Sequence, residues 1–346
     1  METADSAAMI AEPRDTPIGL ESSPAAPYRV SIIVVTYFRG DFLGRTVRSC
    51  LAQRGIDPAD IEIIVVDGSP AATARGIVEG LSAEAARAGV ALRFVHDPRR
   101  GISHSRNSGV AAARAPLVAF IDDDEEADPD WLARMLDCRQ RYDADILVGP
   151  VYPRFELESA RGDPFWNWYF TVDRKLPSGA EALRGGGTHN CLFVKRTCCL
   201  SEEPFDPEFG LTGGEDSRFF LGVARRGGRL LWCADGAIRE FIPASRTAWR
   251  YALRRRFREN QLMMQSFTWG TSPDIARLAF WMGVGLAQMV GYAPAALLLW
   301  AIDRTRARIC LVKAVGGAGK LIWMKRLTLI GYGGGAAASA LSPSQG

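Results

Sequence analysis

The chain has no Cys-x-x-Cys pair, no apolar core near its first residues, no internal repeat and no lysine-bearing glycine-rich loop after its first apolar run. Each absence removes a class. Seven cysteines at irregular spacing exclude a paired zinc or thiol-redox motif and suit reduced thiols in a cytosolic setting. The adjacent Cys198 and Cys199 then read as packing. Residues 1–27 hold scattered acids and prolines but nothing like the apolar core of a secretory signal. They read as a disordered leader, with order starting near Tyr28. The missing lysine-bearing loop argues against nucleotidyl transfer.

What is present is a globular composition: 346 residues, 47% hydrophobic and 23% charged, enough for one large domain with an appendage or for two domains. The net charge of +3 conceals a polarity. From Ser245 onward there are 14 Lys and Arg against 3 Asp and Glu, or +11, so residues 1–244 carry −8. An acidic body with a basic tail points to an anionic surface near the tail.

From Tyr28 apolar β-branched runs alternate with helical patterns. Val30–Thr36, Ile61–Val66, Ala91–Val95 and Leu117–Ile121 read as buried strands. Asp41–Gln53 carries Phe42, Leu43, Val47 and Leu51 at helical spacing, Ala71–Ala88 reads as an alanine-rich helix, and a third helix carries Ser105-Arg106-Asn107. Such alternation implies βαβ units and a mostly parallel sheet. Two strands end in acids: the second at Asp67-Gly68-Ser69, the fourth at Asp122-Asp123-Asp124. Ligands of open α/β sheets sit beyond the carboxyl ends of the strands. Three adjacent carboxylates repel one another unless a cation compensates them, and hard oxygen donors suit Mg2+ or Mn2+.

Val30–Tyr37, Ile61–Ser69, Arg106-Asn107, Phe120–Asp124 and Gly213-Gly214-Glu215-Asp216, in that order, resemble the motif set of family 2 glycosyltransferases. Phe-Ile-Asp-Asp-Asp-Glu at 120–125, Val148-Gly149-Pro150-Val151 and an Arg-rich segment ending in Gln261 are similar to bacterial exopolysaccharide glucosyltransferases of the succinoglycan type. The resemblance covers about residues 29–262. It implies a GT-A fold, a Rossmann-like, mostly parallel sheet flanked by helices, over 28–262; residues 263–346 read by their own pattern as a helical, membrane-associated region.

The resemblance also implies roles. Asp67 would accept the uracil N3–H, Arg106 would hold the nucleotide, and Thr36, Tyr37 and Arg39 would line the nucleoside pocket. Asp122 and Asp123 would meet the donor, Asp122 at its ribose, and Asp124 would bind the metal. Asp216 would be the general base of an inverting transfer, with Glu215 binding acceptor hydroxyls or tuning its neighbour. Acids in a first helical turn also stabilise the helix dipole, so a capping role stays open for both. His189, after Gly185-Gly186-Gly187, could ligate metal or simply line a polar loop.

Arg254-Arg255-Arg256-Phe257-Arg258 lacks the interleaved aromatics of a nucleic-acid surface. By the resemblance Arg255 and Arg258 would contact phosphate. Leu278–Ile302 is 25 residues without a charge, long enough to cross a bilayer. Gly291-Tyr292-Ala293-Pro294 should break it, and a single crossing would put seven cations, Arg304 through Arg326, on the wrong side. A re-entrant or interfacial hairpin gripping anionic lipid through its basic flanks, or a helical hairpin packed on the body, resolves this.

The expected protein is thus a metal-dependent transferase at the cytoplasmic face of a bacterial inner membrane. It would move a hexose from a UDP-sugar, UDP-glucose first among them, to a polyprenyl-diphosphate-linked oligosaccharide, with no nucleic acid involved. Another nucleotide sugar, or an inactive nucleotide-sugar-binding scaffold, are the alternatives.

Overall fold

A computed structural model describes residues 26–38, 40–182, 187–269 and 273–327. Most of the expected leader, Arg39, Gly185-Gly186 and the tail from Gly331 lie outside the described residues. The strands, in chain order, are β1 (Val30–Thr36), β2 (Ile61–Asp67), β3 (Ala91–His96), β4 (Leu117–Asp122), β5 (Glu125–Ala127), β6 (Ile146–Val148), β7 (Val151–Phe155), β8 (Asn190–Val194), β9 (Leu230–Trp232) and β10 (Ile238–Ile242). The helices are α1 (Gly40–Leu51), α2 (Arg75–Ala88), α3 (Ile102–Ala112), α4 (Trp131–Tyr142), α5 (Glu158–Arg161), α6 (Pro164–Phe170), α7 (Lys195–Cys198), α8 (Glu215–Arg225), α9 (Trp249–Ser266), α10 (Ile275–Leu299) and α11 (Arg304–Leu321). They form two compact units: Met1–Arg154, Thr171–Pro207 and Glu215–Phe241 make the first; Phe155–Phe170, Glu208–Gly214 and Ile242–Gly346 make the second.

The first unit is built on a seven-stranded sheet of order β3-β2-β1-β4-β8-β6-β9. All neighbours are parallel except at β8, which runs antiparallel to both β4 and β6. β1 and β2 are apolar on both faces because helices cover both sides. One side buries Ile32 and Val34 with Leu43, Val47, Leu81, Trp131 and Met135. The other buries Ile33, Phe120 and Phe193 with Val110, Phe205, Phe219 and Val223. The register matters most at one edge. Thr36 pairs with Asp67, and Val35 with Asp122, so the carboxyl ends of β1, β2 and β4 finish level. A second, three-stranded sheet has the order β5-β10-β7.

The helix expected from Ala71 begins instead at Arg75. The Asp67 carboxylate accepts the Ser69 and Ala74 amides, at 2.7 Å each, and winds residues 67–74 into a loop. A short acidic side chain competes for backbone amides in this way.

In the second unit α9, α10 and α11 pack together, and α6 adds an aromatic cluster of Phe165, Trp166, Tyr169 and Phe170. Two expectations are corrected here. The Gly291–Pro294 segment does not break α10, which continues to Leu299 with Pro294 inside. An interior proline costs an isolated helix about 3 kcal/mol, and the length of α11 packed alongside offsets it. The hairpin is therefore formed by α10 with α11. Nor do all the basic flanks point outward. Arg308 pairs with Asp163 at 2.6 Å and lies over the rings of Phe165, Trp166 and Trp249. Lys320 is buried and donates to Gln288 Oε1 at 2.8 Å.

The Val148–Val151 segment leaves the sheet where backbones crowd. A side-chain carbon on Gly149 would sit 2.2 Å from the Gly236 carbonyl oxygen and 2.7 Å from Asn190 Nδ2. Both neighbours are fixed, because Asn190 Nδ2 donates to the carbonyls of Pro150 and Gly236. Gly149→Ala is therefore expected to destabilise the fold by about 2 kcal/mol, read as a lowered denaturation midpoint with an unchanged slope.

Candidate active site

The acidic end of β4 turns tightly. Asp123 and Asp124 form the turn into β5, and Asp122 closes it by donating its amide to Glu125 Oε2 at 2.8 Å. Neighbouring elements hold the turn at three points. Thr36 Oγ1 at the end of β1 donates to Asp123 Oδ2 at 2.6 Å. Thr46 Oγ1 on α1 donates to the Asp123 carbonyl at 2.9 Å. The Phe241 amide on β10 donates to the Asp124 carbonyl at 2.8 Å. Asp123, Asp124 and Glu125 are all buried, and Asp122 is half-buried.

Because β8 enters its pairing with Asn190 opposite Ile121, the residue before it, His189, arrives beside Asp122. Ligand atoms of Asp122, Glu125 and His189 all lie within 4.8 Å of one another. Two carboxylates and an imidazole form a donor set that fits Mn2+ or Mg2+. Burial holds the Glu125 carboxyl well above the usual range, and the charges of Asp122, Glu240 and Asp124 push it further. A cation would relieve that repulsion. Asp124, the metal ligand the resemblance implies, sits in the turn beside this set, and Glu125, which directly follows the triple aspartate, joins it.

The first turn of α8 joins the same place. A side-chain carbon on Gly187 would lie 2.9 Å from His189 Nδ1 and 3.1 Å from Asp216 Oδ2. Imidazole, carboxylate and backbone thus converge on one point that only glycine leaves open. Asp216 is half-buried, and its Oδ1 accepts the Ser217 amide at 2.6 Å. Glu215 is buried and ion-paired with Arg106, while its Oε2 has no hydrogen-bond partner among the described residues. Burial raises the Glu215 carboxyl to about 7; Arg106 opposes this and Asp216 adds to it.

Arg106 therefore sits against Glu215 and over the Phe205 ring. Its helix is clamped from both sides. Asn107 Nδ2 donates to the Phe205 carbonyl at 2.7 Å while Asn107 Oδ1 accepts the Phe205 amide at 2.9 Å. Ser103 Oγ donates to the Asp206 carbonyl at 2.9 Å.

The remaining expected residues are placed as follows. Asp67 is fully buried with each oxygen taking a backbone amide, so its first role is to shape the loop after β2. Tyr37 and Phe38 are exposed at the end of β1 with their rings edge to face, and Phe38 adopts φ 56°, unusual for an aromatic residue. Gly68 lies against this pair: a side-chain carbon there would stand 2.7 Å from Ser105 Oγ and 3.5 Å from Tyr37 Cδ2. Arg255 and Arg258 belong to α9 of the second unit. Arg255 pairs with Glu259 at 2.8 Å, and Arg258 Nε is buried without a hydrogen-bond partner among the described residues.

The family model described as Glycosyl transferase family 2 matches residues 31–194. The succinoglycan biosynthesis protein ExoM of Rhizobium meliloti is 31% identical over 239 residues, covering 69% of this chain and 75% of that protein. A glucosyl-dolichyl phosphate glucuronosyltransferase of Haloferax volcanii is 32% identical over 196 residues, covering 54% and 58%. Among solved structures, the mannosyltransferase PcManGT from Pyrobaculum calidifontis, in complex with GDP-Man and Mn2+, aligns with a TM-score of 0.58 and 20% identity over 88% of this chain and 90% of that one. That likeness is one of fold, and it agrees with the GT-A architecture. With a relative this similar over three quarters of its own length, on a sheet of this order, the chain belongs to glycosyl transferase family 2.

Proposed function

We propose that the protein is an inverting hexosyltransferase that uses a divalent cation and moves glucose from UDP-glucose to a polyprenyl-diphosphate-linked oligosaccharide in surface polysaccharide synthesis. It would act at the cytoplasmic face of a bacterial inner membrane. The observation that carries this reading is the convergence of Asp122, Glu125 and His189 with Asp216 at the carboxyl edge of the sheet. The relatives support the finer points: one is named for succinoglycan biosynthesis, another for transfer onto a dolichyl-phosphate-linked sugar.

Asp122, Glu125 and His189 would hold Mg2+ or Mn2+, with Asp124 in the turn beside them. When bound, the ion supplies positive charge against the departing diphosphate. Thr36 and the exposed Tyr37–Phe38 pair face the end of β1, where an aromatic surface suits a nucleobase. Chemistry then rests on Asp216. The acceptor hydroxyl oxygen attacks the anomeric carbon, the bond from that carbon to the diphosphate oxygen breaks on the opposite face, and the hydroxyl proton passes to Asp216 Oδ2. With Oδ1 engaged by the Ser217 amide, Oδ2 is the oxygen that turns toward His189. Glu215 and Arg106 hold the first turn of α8 in place, so Arg106 acts as a positioning residue for the base.

Asp216→Asn keeps hydrogen bonding but cannot take the proton, so transfer is expected to slow at least ~100-fold with UDP affinity unchanged. Retained turnover in single-turnover assays would move the base elsewhere.

The donor set separates two ligand assignments. His189→Ala is expected to reduce the Mn2+-dependent tightening of UDP binding about tenfold, some 1.4 kcal/mol, by titration calorimetry. If Asp124→Asn removes the tightening and His189→Ala leaves it, Asp124 is the principal ligand.

Glu215 makes stability depend on pH. Its folded value of about 7 lies above the ordinary 4.5. The folded state therefore binds the extra proton between those values, and stability is full below 4.5 and lost as pH rises through 7. Denaturation at pH 5 and pH 8 should show the wild type losing up to about 3 kcal/mol more than Glu215→Gln.

A further inference from the structure

The covered and open faces of α10 differ in what they touch and hardly at all in polarity. Leu278, Gly285, Tyr292 and Leu299, seven residues apart, lie on the covered side. Gly285 meets α11 so closely that a side-chain carbon would stand 2.8 Å from the Gly317 carbonyl oxygen. Gln288 accepts from Lys320, and Lys313 lies 5.0 Å from the Tyr292 ring centroid. The other side is open along the whole helix: Ile275, Phe280, Leu286, Val290, Leu297 and Leu298 are exposed, the last two by 80% and 74%. Only 11% of the most apolar stretch is buried. A core helix of a soluble body would be mostly covered. The one charge on α10 is Arg277, exposed in its first turn and paired with Asp274 at 3.2 Å.

A helix of 25 residues is about 37 Å long and could cross a bilayer. Its partner forbids it. The contacts above pair residues 285–292 of α10 with 313–320 of α11, antiparallel, so the rest of α11 runs beside the end of α10. Lys313 and Lys320 would enter the hydrocarbon with it, and Arg304, Arg306 and Arg308 would follow. Each cation at bilayer depth costs roughly 2.5–3.5 kcal/mol. Lying flat removes that cost. The open apolar face then meets acyl chains, while Arg277 at one end and the exposed Arg304 and Arg306 at the other stand at headgroup level.

We infer that the α10–α11 hairpin lies in the plane of one leaflet, inserting the open face of α10 and gripping anionic lipid headgroups through Arg277, Arg304 and Arg306, without crossing the bilayer. This deepens the membrane location proposed above and does not depend on the sugar transferred.

The test uses the full chain and vesicles of phosphatidylcholine with a minority of phosphatidylglycerol. The wild type should float with the vesicles and stay bound in molar salt. Leu297→Glu with Leu298→Glu, at positions no packing depends on, should reduce binding at least ~10-fold. Arg304→Gln and Arg306→Gln should each weaken it about fivefold at low salt, and not at high salt. A cysteine at the turn, Ala301→Cys, should react with an impermeant maleimide added outside; protection of that thiol would mean a spanning helix and overturn the inference. Absent flotation overturns it too. In that case a dimer dissolved by Leu297→Glu with Leu298→Glu would assign the face to a second copy, and a monomer throughout would assign it to residues 328–346. UDP-glucose hydrolysis followed in the same samples keeps the readings apart. Lost hydrolysis with retained flotation counts against the sugar-transfer reading, and the reverse counts only against this one.

Discussion

Asp122, Asp123, Asp124 and Glu125 are consecutive, three of the four are buried, and their mutual repulsion is the constraint to which the first unit is fitted. The Thr36 hydroxyl of β1 donates to the Asp123 carboxylate and the Asp122 amide of β4 to that of Glu125, while the Thr46 hydroxyl of α1 and the Phe241 amide of β10 hold the backbone carbonyls of Asp123 and Asp124. A buried carboxylate needs such partners or it stays protonated. The Glu125 carboxyl is raised by burial and by three neighbouring acids. The arrangement is costly as protein alone and apt for a cation, as sites built for metal–diphosphate chemistry have to be.

A second charge balance governs α8. Glu215 and Asp216 share a first helical turn, and the charge of Asp216 adds to the burial that raises the Glu215 carboxyl. The fold separates them by environment: Glu215 points inward to Arg106, and Asp216 points toward Gly187 and His189. Arg106 in turn is held because Asn107 and Ser103 lock α3 to the 205–206 segment. The Arg-Asn dipeptide thus has two duties in adjacent positions, one electrostatic and one structural.

The sheet and its acidic edge were legible in the sequence because burial on both faces leaves a continuous apolar run, and a run that ends in acid marks a strand end at a polar site. Val30–Thr36 agrees with β1 at both ends, and Leu117–Ile121 with β4 to within one residue. What the pattern could not carry is pairing across long loops. His189 reaches Asp122 only because β8 runs antiparallel into β4, and no local signal at Gly187-Thr188-His189 states that register. The partner of Arg106, Glu215, is 109 residues away, so its ion pair has no local signal either. At Asp67 both oxygens take amides of its own loop, a local duty that the strand-ending acid alone does not announce.

The second unit marks the limit of hydropathy as a guide. Leu278–Ile302 reads as uncharged in one dimension, and Gly291–Pro294 reads as a break, yet the helix runs through. Neither its composition nor its length separates a helix that crosses a membrane from one that lies on it, since both faces of α10 are apolar. The information sits in the neighbour. Glycines 317 and 319 let α11 approach its helical neighbours to backbone contact, and the cations α11 carries fix the depth α10 can reach. Arg308, enclosed by three rings and Asp163, locks α11 to the aromatic cluster on α6 and to Trp249 of α9, so α11 cannot detach to let α10 cross alone without exposing that cage. The helix that decides how α10 meets lipid is therefore the one whose own sequence looks least like a membrane segment.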